Sequence, residues 1–75
     1  MIDVENWVWV FDETKMICRC EENGVIVKIE KSGNGYGGKL EDMPIELFSD
    51  IAKVKDGEKI IEAIVKQAEK AARKK

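Results

Sequence analysis

The sequence predicts an α+β fold: a three-stranded antiparallel β-meander followed by two α-helices packed on one face, a β-β-β-α-α two-layer sandwich. Three observations carry this expectation. Residues 6–11, Asn-Trp-Val-Trp-Val-Phe, alternate aromatic residues with valines, the period of a strand with two unlike faces. Asn23-Gly24 separates two further apolar runs, and this dipeptide is a strong hairpin signal. From residue 44 onward the apolar spacing lengthens to that of a helix, with one break at Asp56-Gly57.

The first strand is expected over about residues 4–11. It places Trp7, Trp9 and Phe11 on one face and Val8 and Val10, with Val4, on the other. Asp12, Glu13, Thr14 and Lys15 form a polar turn, and the second strand follows over about 16–22. A two-residue type I′ turn at Asn23-Gly24 leads to the third strand, about 25–31. These turns pair Trp9 with Cys18, Phe11 with Met16, Cys18 with Ile29 and Cys20 with Val27. One face of the meander then collects Trp7, Trp9, Phe11, Met16, Cys18, Cys20, Val25, Val27 and Ile29. The other collects Val8, Val10, Ile17, Arg19, Glu21, Ile26, Lys28 and Glu30, with Val10 directly across from Ile17. In a meander of three, the first and third strands are edges, and Lys28 and Lys31 defend the third better against stray pairing.

Residues 32–39 read as a glycine-rich loop with Tyr36 at its tip. Pro44 suits the first turn of a helix over about 44–55, with Asp42 or Met43 ahead of it as cap. Its apolar stripe is Ile45, Leu47, Phe48, Ile51, Ala52 and Val54. Asp56 stands where it can cap a second helix over about 58–73. That helix turns Ile60, Ile61, Ile64, Val65, Ala68, Ala71 and Ala72 to one side. Three strands alone are marginal, and both helices are expected to cover their apolar face.

Seventy-five residues, 44% apolar and 37% charged, fit one small folded domain rather than a disordered chain. The net charge of −2 disfavours a general polyanion binder. The charge is uneven: residues 1–56 hold 12 acids and 7 bases, and residues 57–75 hold 3 acids and 6 bases. The basic excess lies in Lys70, Arg73, Lys74 and Lys75, where cations also suit a helix C-terminus. No apolar stretch approaches membrane-spanning length. Asp3 and Glu5 stand where a leader would carry bases, so a cytoplasmic protein without membrane contact is expected.

Catalytic and cofactor chemistry finds few candidates. Gly33, Gly35 and Gly38 match G-x-G-x-x-G after a strand, but the pattern cradles phosphates only where its third glycine opens a helix. Here the helix begins about six residues later, and Leu40 follows Lys39 where a phosphate loop needs Ser or Thr. Cys18 and Cys20 share one strand face with apolar neighbours, which reads as a pair of small core hydrophobes rather than a metal site or a disulfide. The chain has no histidine, so the commonest general base is missing. No catalytic residue, metal or cofactor is expected, and the chain is read as not an enzyme.

The informative oddity is the face opposite the aromatics. A wet sheet face normally alternates to polar residues, yet Val8, Val10, Ile17 and Ile26 stand there among Arg19 and Lys28. Two readings stand: β-branched residues placed for strand propensity alone, or an apolar interaction surface rimmed by charge. The second makes Val8, Val10, Ile17, Arg19, Ile26 and Lys28, with Tyr36 on its loop, the candidate binding residues. The expected function is a small non-catalytic protein-interaction module or regulator whose partner is another protein or a second copy. A nucleic-acid-binding sheet is the alternative, disfavoured by the charge balance. A small enzyme or cofactor binder comes third.

Overall fold

In the computed structural model, which describes residues 2–74, the chain forms a 3₁₀ turn at Val4–Asn6, four strands and two helices. The strands are β1 (Trp9–Asp12), β2 (Ile17–Cys20), β3 (Ile26–Ser32) and β4 (Gly35–Glu41). The helices are α1 (Ile45–Lys53) and α2 (Gly57–Arg73). The class is α+β, with one antiparallel sheet ordered β1-β2-β3-β4. Lys75 of the expected basic tail lies outside the described residues.

The fourth strand corrects the expected meander of three. Residues 32–39 are not a loop: Gly33-Asn34 is a two-residue turn joining Ser32 to Gly35, and the chain then runs back along β3. Gly33 has φ +60°, which this tight turn requires at its first central position. Glycine is poor in strands because it packs nothing; here that emptiness has a use. A Cβ on Gly38 would stand 3.2 Å from Val27 Cγ1 and 3.3 Å from Val65 Cγ1, so Gly38 is where α2 closes onto β4. The fourth strand also makes β3 interior and leaves β1 and β4 as the edges.

The first strand starts later than expected. Val4 is buried in the 3₁₀ turn instead of standing beside Val8, and Asp3 accepts hydrogen bonds from the Glu5 amide (3.2 Å) and the Asn6 side chain. The pairing is displaced by two residues in both hairpins. Trp9 pairs with Cys20 and Phe11 with Cys18, while Cys18 pairs with Val27. In the first hairpin, Asp12 stays in the strand and its Oδ1 accepts from the amides of Thr14 (3.0 Å) and Lys15 (3.3 Å). That side-chain turn moves the reversal one residue onward, with Met16 at φ 55°. In the second, only Gly24 takes positive φ, where a type I′ turn needs it at Asn23 too. The loop therefore spans residues 21–24, closed by Cys20 N–H donating to Val25 O at 2.8 Å. A shift of two preserves every strand residue's face: Cys18, Cys20, Val25, Val27 and Ile29 are buried as expected, whereas Trp7, Trp9 and Phe11 are only partly buried against them and Met16 lies in the turn.

Cover for that face comes from one helix. α2 approaches all four strands and the 3₁₀ turn, whereas α1 approaches only α2. Ile64, Ala68 and Ala72, one turn apart, are buried against the sheet, and the alanines let the helix lie close. α1 anchors through Ile51, 1% exposed, and leaves Ile45 84% and Phe48 52% exposed. The expected caps differ too: Pro44 holds the cap position of α1, Asp42 adopts φ 53° before it, and the Asp56 carboxylate makes no capping bond on α2.

Candidate functional site: the outer face of the sheet

Alternation along four paired strands sets out the side of the sheet turned away from α2. Two cross-strand rows form its centre, Val10–Arg19–Ile26–Glu41 and Asp12–Ile17–Lys28–Lys39. Val8 lies one step beyond Val10, its carbonyl accepting from Glu21 N–H at 3.1 Å. Val10 faces Arg19 rather than Ile17, because the register is displaced by two. Val10 and Ile17 are diagonal neighbours, as are Ile17 and Ile26, and the three line one depression.

The apolar residues surround a shallow depression of about 550 Å³ near the β1–β2 turn, lined by Val10, Ile17, Ile26 and Arg19, with Asp12 and Lys15 at its rim. Val8 is 51% and Val10 37% exposed, whereas Ile17 and Ile26 are half-buried among their neighbours. The charges nearly balance: Arg19, Lys28 and Lys39 stand against Asp12, Glu30 and Glu41. Arg19 Nη2 lies 3.8 Å from Glu21 Oε1. Both are exposed, so this pair orients the guanidinium and adds little stability.

Six of the seven residues singled out from the sequence, Val8, Val10, Ile17, Arg19, Ile26 and Lys28, share this face. Tyr36 does not join them. It belongs to β4, pairs with Lys31, and points to the α2 side, where it lines a separate depression of about 400 Å³ with Phe11, Met16 and Arg73. Lys39 and Glu41 complete the face and were missed because residues 32–39 read as a loop and 40–43 as the lead-in to the first helix. The available signal was Gly33-Asn34 after an alternating strand, followed by Tyr36, Gly38 and Leu40 in step with each other.

The two thiols are withdrawn from solvent. Cys18 and Cys20 are fully buried free thiols. Burial pushes the Cys18 thiol up to about 11, with the neighbouring Cys20 adding to it, so it is protonated at neutral pH and unreactive as a nucleophile. Among the described residues no three Cys, Asp or Glu side chains converge as metal ligands, and no helix is long and apolar enough to cross a membrane. No family model matches the chain, and no curated protein or solved structure is significantly similar to it.

Proposed function

We propose that this chain is a small non-catalytic protein-interaction module working through the outer face of its sheet. The observation that carries the reading is the one-sided cover. α2 lies on one side only, and the bare side sets Val10, Ile17 and Ile26 among alternating charges around a depression, with the exposed Val8 beyond them. An apolar centre with a charged rim is the anatomy of a protein contact. The test uses the wild type and a Val10→Lys/Ile26→Lys variant as baits in cell extract, after matched melting curves establish that both fold. A protein held by the wild type and lost by the variant supports the reading. Equal capture by both baits overturns it.

Nucleic-acid binding is the second reading, and it draws on Lys39, which β4 sets beside Lys28 on this face. Asp12, Glu21, Glu30 and Glu41 offset those cations, and the outer face carries no aromatic side chain for base stacking. The protein reading is therefore preferred.

A further inference from the structure

The free edge of β4 is a second uncovered surface, and its chemistry follows from the hydrogen-bond alternation. Cys20 N–H donates to Val25 O at 2.8 Å and Ile29 N–H to Met16 O at 2.9 Å, so Val25, Val27 and Ile29 direct their main-chain groups to β2. Ile26, Lys28, Glu30 and Ser32 direct theirs to β4, where Glu41, Lys39, Gly37 and Gly35 receive them. The remaining β4 residues, Tyr36, Gly38 and Leu40, aim N–H and C=O outward. α1 does not approach β4, and the glycines leave the backbone bare. The opposite edge, β1, is only four residues long, against seven for β4, and short edges are poor templates.

We propose that β4 pairs antiparallel with β4 of a second copy about a two-fold axis at Gly38, joining the two sheets into one. This register alone sets all three outward residues against outward residues: Tyr36 opposite Leu40 of the second copy, Gly38 opposite Gly38, Leu40 opposite Tyr36. It forms about six main-chain hydrogen bonds. Sliding the strands by two residues loses one of the three pairs. Side chains favour the same register. On the α2 side, Tyr36 meets a leucine twice, an aromatic–aliphatic cross-strand pair. On the outer side, Lys39 faces Gly37 and Glu41 faces Gly35, so no like charges stand directly opposed, whereas centring the pair on Lys39 sets that cation against itself. The contact is isologous and closes at two chains. It is small, so the dimer is weak. It also makes the two outer faces continuous.

The test exploits Gly37, where an added Cβ meets no atom within 4 Å; Glu30 stands directly across from it on β3, so matched melting curves first establish that both charge variants fold. Sedimentation equilibrium on the wild type, Gly37→Glu and Gly37→Lys covers about 0.03–1 mM chain at low salt, a range suited to a small interface. Glutamate opposite Lys39 tightens the dimer and lysine loosens it, each shifting the dissociation constant roughly 2- to 30-fold over two symmetric pairs. Amide exchange at Tyr36, Gly38 and Leu40 slows as concentration rises. A monomer throughout the range, or a dimer indifferent to the charge at residue 37 with no slowing at those amides, overturns the proposal. Association abolished by Val10→Lys alone places the second copy on the outer face and overturns it equally. Failure at the β4 edge leaves the outer-face reading to its own test.

Discussion

Gly37 and Gly38 are neighbours with opposite structural demands. Gly38 faces Val27 and Val65 at distances tighter than most real Cβ contacts allow, while Gly37 faces open space. Gly38→Ala should cost about 1–3 kcal/mol, as over-packing does. Gly37→Ala should stabilise by roughly 0.4–1 kcal/mol, because it restricts the unfolded chain without meeting anything in the folded one. Urea denaturation of the two variants checks the sign difference; equal effects mean that α2 does not sit close over β4. The sequence announced neither role, since both glycines read as loop. It did announce which way most strand residues face, because parity survives a two-residue register shift. Val10 and Ile17 were legible as members of one face, and illegible as diagonal rather than direct partners. Deciding that needed the Asp12 side-chain turn, set by local hydrogen bonding rather than by the apolar pattern.

The two helices carry unequal shares of the fold. Both were visible from their periodicity, but their apolar stripes looked alike and gave no hint that only α2 would reach the sheet. The difference comes from chain geometry. α2 starts at Gly57, where a Cβ would stand 2.6 Å from Ile51 O, and this close corner folds α1 against α2. Ile51 is buried there and Phe48, one turn earlier, is half in solvent. Ile51→Ala should therefore cost about 2–5 kcal/mol, and Phe48→Ala well under about 1 kcal/mol, measured by the same denaturation. A large loss at Phe48 would mean that α1 packs on something more than α2. The fourth strand shows the converse failure of pattern reading. β4 has alternation, but glycines occupy three of its seven positions, so little apolar signal remains to count.

At the scale of the whole molecule, one layer of helix on one layer of sheet means that substitutions on the two sides of the sheet should differ sharply. Ile64 sits between the layers with no exposure, so truncating it removes packing that a small chain cannot replace. Ile64→Ala should cost about 2–5 kcal/mol, a large part of the roughly 5 kcal/mol expected for a marginal domain. Val8→Thr and Val10→Thr keep the branched shape that suits a strand and add a hydroxyl where water already reaches. Each should change stability by no more than about 0.5 kcal/mol. Melting curves at low concentration, where association does not contribute, make the comparison. Val8 and Val10 behaving like Ile64 would mean that the outer face is covered within a single chain, and it would lose its standing as a binding surface. Tolerance there, beside intolerance at Ile64, means that Val8 and Val10 are held on the surface at no benefit to the fold of one chain. Their side chains are then free to contact a partner, as the proposed outer-face reading requires.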